Sequence, residues 1–129
     1  MIVADTNVWA RAFLNDDVPQ ARTARKALAA ARSRGGIFVP LIVMAELAWV
    51  LRSKWDRESV LVSLANLLQT RGVTVETPAL VQQALEASRA GKGGFADQLI
   101  AQVGFDNGAG EVITFDEKFS RSTKVRRLK

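Results

Sequence analysis

Apolar positions in this chain fall into two kinds of segment. Ile2-Val3-Ala4, Ile37-Phe38-Val39, Val73-Thr74-Val75 and Val112-Ile113-Thr114-Phe115 are short apolar runs, too brief to bury as helices. The first shows no alternation, the pattern of a central parallel strand covered on both faces. Between these runs, apolar residues recur at helical spacing. Val8, Trp9, Ala12 and Phe13 predict a helix to Leu14, ended by Asn15-Asp16-Asp17, which also supply caps. A second helix is predicted from about Val18 to Arg34, with Pro19 in its first turn and a stop at Gly35-Gly36. Leu41 to Leu51 is apolar almost all round and predicts a largely buried helix. Glu58 to Gln69 carries a stripe of Val60, Leu61, Leu64, Leu67 and Leu68. Thr77-Pro78 starts a helix whose stripe is Leu80, Val81, Ala84, Leu85 and Ser88. After the loop Ala90 to Gly94, Phe95 to Phe105 is helical again, with Phe95, Leu99, Ile100 and Val103 on its core side. The tail beyond Phe119 is polar, and Val125 marks a short edge strand.

Strands alternating with helices across short loops predict a parallel sheet with helices on both faces. No repeat or linker interrupts the pattern, so residues 1–129 read as a single three-layer α/β/α domain. No apolar run reaches the roughly 18 residues that span a bilayer, and no signal peptide is read before the first strand. A cytoplasmic location is expected.

Composition changes this picture mainly by what it lacks. There is no His, Cys or Tyr. Imidazole acid–base chemistry, a Ser-His-Asp triad, a thiolate or His-ligated metal and a tyrosyl nucleophile are excluded. An enzyme built from this chain must work with Asp, Glu, Ser, Thr, Lys or Arg. Carboxylates clustered about a hard cation are the obvious remaining device. The net charge is +5. Basic residues gather on the second predicted helix (Arg22, Arg25, Lys26, Arg32, Arg34) and in the tail (Lys118, Arg121, Lys124, Arg126, Arg127, Lys129). Such an excess suits a polyanionic partner, nucleic acid first, and suits a solvated surface about equally well.

Four acids stand out. Asp5 follows the first strand, where open α/β sheets place their ligand sites, and it could equally cap the next helix. Glu46 lies among Ile42, Val43, Trp49 and Val50 on an apolar helix. Buried and unpaired there it would cost several kcal/mol, so it should be protonated, paired or on a cation. Arg52, six residues on, is off the helix face. Asp97 sits in the first turn of its helix, where the dipole favours an acid. Asp116 follows VITF as Asp5 follows IVA, which places both carboxylates on one sheet edge and is hard to ascribe to capping twice over. Carboxylates brought within a few ångströms repel, and raised pKa values or bound cations must relieve them. Mg²⁺ or Mn²⁺ fits an all-oxygen set, and polarising a phosphodiester beside a bound water hydrolyses it without histidine. Asp106, Glu111 and Glu117 read as surface.

IVADTN, VPLIVMAEL, GGFADQLIA and VITFDEKF, in that order, resemble the PIN domains, specifically the small toxin ribonucleases of the VapC type. The resemblance covers essentially the whole chain. It implies a parallel five-stranded sheet between helices and a metal-dependent endoribonuclease. Carried over by motif, Asp5, Glu46, Asp97 and Asp116 are the catalytic, metal-binding acids. Thr6 and Asn7 match the polar pair after the first acid, with Asn7 orienting carboxylates. Thr114 matches a position near the site. It further implies an RNA substrate, a homodimer and an antitoxin whose tail places an Arg among the acids. A non-catalytic RNA- or protein-binding PIN-like domain is the alternative; an intact acid set argues against it. A haloacid dehalogenase-type phosphatase ranks third, because it needs an Asp where Asn7 stands.

Overall fold

The computed structural model describes all residues, Met1–Lys129, as two compact units, Met1–Glu76 and Thr77–Lys129. The first contains β1 (Ile2–Val3), α1 (Thr6–Leu14), α2 (Val18–Ser33), β2 (Ile37–Val39), α3 (Leu41–Arg52), α4 (Arg57–Gln69) and β3 (Val73–Val75). The second contains α5 (Pro78–Arg89), α6 (Phe95–Asp106), β4 (Val112–Thr114), a short 3₁₀ turn (Phe119–Arg121) and β5 (Val125–Arg127). Every predicted element forms, with ends displaced by a residue or two.

Every strand pairing is parallel, and the strands fall in two sheets, three strands in the first unit and two in the second. In the first unit the order is β1-β2-β3, with Ile2 opposite Ile37 and Ile37 opposite Val73. In the second, β4 pairs with β5, Val112 opposite Val125. Thus β1 is an edge strand, not the central covered strand its apolarity predicts. It pairs on one side only, and Ile2 and Val3 remain 50% and 59% exposed.

The first unit's core is Ile37, Val39, Met44, Leu47, Leu51 and Leu64, closed by Trp9 of α1 and Leu28 of α2. Trp9 stacks on Phe13, and Phe13 meets Trp55 edge-on, which fastens α1 beside the end of α3. Asp17 caps α2 through the Gln20 amide at 3.1 Å. The α3 N-terminus begins at Pro40, which has no side-chain acceptor; Glu76, just past β3, reaches back and accepts the Leu41 amide at 2.8 Å.

Two basic residues of α2 are structural ties. Arg25 Nε donates to the Ala12 carbonyl, and Arg32 Nε to the Arg71 carbonyl, both at 2.8 Å. Around the second tie the backbones are so close that a Cβ on Gly72 would stand 2.6 Å from the Arg32 carbonyl oxygen.

In the second unit α5 packs on α6, and Phe119, Ala101 and Val125 form a small core with Phe105 and Val112 against it. The polar tail is therefore part of the fold. Val125 is buried, and the Leu128 amide donates to the Thr114 carbonyl at 2.7 Å. No helix is long and apolar enough to cross a membrane.

Candidate active site

Asp5 lies two residues past the end of β1. Asp5 holds extended backbone, and its Oδ1 accepts the Val8 amide at 3.3 Å, capping α1. One carboxylate oxygen is committed to the cap, and no protein hydrogen bond reaches the other. Thr6, the first residue of α1, donates its hydroxyl to Glu46 Oε1 at 2.9 Å. The packing of α1 on α3 thus brings Asp5 and Glu46 to neighbouring positions through the residue between them.

Glu46 is not buried, contrary to the expectation from its apolar neighbours. The buried face of α3 is Val43, Met44, Leu47, Ala48 and Leu51. Ile42, Glu46 and Trp49, at i, i+4 and i+7, share the opposite face, where Ile42 is 68% and Trp49 80% exposed. Hydrophobicity in α3 exceeds what its own core contact uses, so the all-round pattern misreports burial. Arg52 is no partner for Glu46; its Nη1 donates to the Trp55 carbonyl at 3.1 Å. Asn7, expected to orient carboxylates, lines an open groove of about 600 Å³ between α1 and α2 with Arg11, Gln20 and Thr23. The hydroxyl of Thr6, rather than the Asn7 amide, holds a carboxylate here.

The second unit repeats the Asp5 device. Two residues past the end of β4, Asp116 Oδ1 accepts the Phe119 amide at 2.9 Å, three residues on, as Asp5 does with Val8. The offset from the strand and the amide three residues on coincide, although Asp5 caps α1 while Asp116 closes the turn that precedes the 3₁₀ segment. The amide engages one oxygen each time. Thr114 contributes by accepting the Asp116 amide on its Oγ1 at 3.0 Å, which fixes the turn.

Asp97 occupies the third position of α6, behind Gly94, whose missing side chain leaves the helix without a cap of its own. Burial pushes the Asp97 carboxyl above its ordinary value; the Gly94 amide pulls it down, and the Asp116 charge pushes it up again. These two acids therefore sense each other. No group of three or more acidic side chains able to hold a metal ion is found in the structure. The acids singled out offer carboxylate oxygens, the donors that suit Mg²⁺ or Mn²⁺.

Residues 2–125 match the PIN domain. The chain belongs to the PIN-domain family. The match runs through both units of this PIN domain and takes in Asp5, Glu46, Asp97 and Asp116. Among solved structures it is similar to VapC20 of Mycobacterium tuberculosis, described as a sarcin-ricin loop cleaving toxin. The two are 23% identical, 97% of each chain is covered and the TM-score is 0.50, a likeness of fold. No curated protein sequence matches the chain.

One polar residue of the PIN domain escaped the sequence pattern. Gln98, beside Asp97, is 1% exposed, while Ile100, expected in the core, is 61% exposed. The buried face of α6 is Phe95, Gln98, Leu99 and Ala101. A polar residue at i+3 from Phe95 was the available signal. The basic tail is less free than its charge suggests: Arg126 makes a two-point pair with Glu111, and Arg121 pairs with Glu117.

Proposed function

We propose that this PIN domain is a VapC-type toxin, an endoribonuclease that hydrolyses RNA phosphodiester bonds with a carboxylate-held Mg²⁺ or Mn²⁺ in the cytoplasm. In this reading residues 1–129 act as one domain, restrained by a cognate antitoxin. The observation that carries the reading is the matched pair Asp5 and Asp116. Inside a PIN match over residues 2–125, each stands at the same offset from a parallel strand, with one oxygen held by the amide three residues on.

Asp5, Glu46, Asp97 and Asp116 are the acids this reading assigns to the cation. Such a cation supplies Lewis acidity toward a phosphoryl oxygen and a nearby water of lowered pKa. The protein's own contribution is placement. The Val8 and Phe119 amides fix which oxygen of Asp5 and Asp116 faces outward, and Thr6 fixes Glu46. Asp97 is held where burial and Asp116 disfavour its charge, so a cation there relieves a cost already present.

Exposed apolar strands support a single five-stranded sheet as the working form. Ile2 and Val3 of β1 are exposed, and so are Ile113 and Phe115 at β4, at 55% and 73%. In this reading the toxin acts as a homodimer. Arg22, Lys26, Arg34, Lys124, Arg127 and Lys129 are exposed and suit phosphate contacts.

The test is cleavage of a structured RNA by purified protein in Mg²⁺ or Mn²⁺, with chelator and Asp5→Asn as controls. The expected result is cleavage lost in both controls while circular dichroism is unchanged. Chelator-resistant cleavage, or RNA binding with no cleavage in the intact protein, overturns it; the latter points to a non-catalytic binder.

A further inference from the structure

Gln98 sits one residue from Asp97 yet points the other way, into the interior of the second unit. Its Nε2 donates both protons, one to the Lys92 carbonyl and one to Ser122 Oγ, the latter at 2.7 Å. Lys92 belongs to the loop that leads into α6 and Asp97. Ser122 belongs to the segment that leaves Asp116 through the 3₁₀ turn. The same two segments touch again nearby. A Cβ on Gly93, at φ +94°, would lie 3.1 Å from Cα and Cβ of Phe119, whose amide holds Asp116 Oδ1. Ser88, 1% exposed on α5, adds a third tie by donating to the Gly93 carbonyl at 3.0 Å.

We propose that Gln98 is a positioning residue that sets the spacing between Asp97 and Asp116. A buried amide with both donors satisfied is costly to disturb, because loss of either partner leaves an unpaired polar group. It therefore prevents the Lys92–Gly94 loop and the Phe119–Ser122 turn from drifting apart. These segments flank Asp97 and Asp116. Without the tie the two segments separate more readily, and a cation then has to draw the acids back together. Gln98 meets that cost in advance, in the metal-free fold.

The inference rests on the reading of Asp97 and Asp116 as cation ligands. The experiment titrates Mn²⁺ into the full chain and follows free Mn²⁺ by electron paramagnetic resonance. It compares wild type, Gln98→Met, Ser122→Ala and Asp97→Asn, with melting recorded for each. Gln98→Met keeps side-chain length and removes the donors. Mn²⁺ binding is expected to weaken about tenfold in Gln98→Met, the effect of losing roughly 1.4 kcal/mol of preorganisation, and less in Ser122→Ala. Cleavage by both variants should return toward the wild-type rate at saturating Mn²⁺, a shift in metal requirement rather than in kcat. Unchanged Mn²⁺ affinity in folded Ser122→Ala and Gln98→Met, with only melting lowered, overturns the proposal and leaves Gln98 a core tie. Should Gln98→Met fail to fold, Ser122→Ala alone decides in the same way. Unchanged affinity in Asp97→Asn would instead overturn the ligand reading itself.

Discussion

The two units handle their acids differently. In the first, Asp5 and Glu46 are exposed and are held by neutral donors, an amide and a hydroxyl. In the second, Asp97 is half-buried and charge-sensitive, and its loop is locked to the Asp116 segment by a buried amide. The second pair includes a carboxyl whose charge is disfavoured by burial first and by Asp116 after it, a cost that a proton or a cation relieves. Metal and pH should accordingly act first on the second unit, and substitutions there should trade stability against activity.

The largest expected effect comes from Asp97→Asn. Loss of a metal-holding carboxylate should lower cleavage by about a thousandfold, the rate equivalent of several kcal/mol of charge stabilisation. The same change should raise the melting temperature of metal-free protein at neutral pH by a few degrees. The sign follows from linkage. A carboxyl raised by folding binds its proton more tightly in the native state, so native stability declines as pH climbs from the ordinary Asp range through the raised value. Asn removes that decline. Differential scanning fluorimetry in chelator at pH 4 and pH 7 reads it directly: the variant's advantage should appear at pH 7 and vanish at pH 4.

Next in size is the contrast within the first unit. Asp5→Asn and Asp5→Ala should both abolish cleavage, but only Ala should cost stability, roughly 0.5–2 kcal/mol, because Asn still caps α1. Thr6→Val removes the hydrogen bond to Glu46 without removing an acid. About tenfold slower cleavage is expected, with a stability loss of about 1 kcal/mol by urea titration. Equal cleavage in Thr6→Val and wild type would show that Glu46 needs no holder, and would erase the distinction between a placed pair and a locked one.

Much of this was legible in the chain and some was not, for physical reasons. Element order and type followed from periodicity, because the helices carry clear stripes and the strands are short apolar runs. Burial was misread where hydrophobicity exceeds local packing. Ile2, Val3, Ile42, Trp49 and Ile100 are all apolar and all exposed. Periodicity reports which residues could be buried and says nothing of what is present to bury them. Gln98 failed in the opposite sense. A polar side chain on a core face is visible only when its partners are known, and Lys92 and Ser122 lie six and 24 residues away. Strand ends bearing Asp were readable as a repeated pattern. That each Asp spends one oxygen on the amide three residues on depends on φ and ψ in the turn, which composition does not encode.

The smallest effect tests whether the comparison is about the acid pairs or about charge in general. Glu111 is a carboxylate of the same unit, but it is exposed and the Arg126 guanidinium hydrogen-bonds it, holding its carboxyl below the ordinary value. Its linkage therefore has the opposite sign: the stabilisation is present above the usual carboxylate range and is lost as pH falls through the lowered value. Glu111→Gln should leave cleavage unchanged and lower melting barely at neutral pH. That deficit should disappear in acid, and also near 1 M salt, where screening acts over about 3 Å. Acidification should thus erase a deficit in Glu111→Gln and an advantage in Asp97→Asn. Were both variants to respond to pH alike, the second unit would be answering to net charge, and the particular confinement of Asp97 beside Asp116 would no longer account for its behaviour.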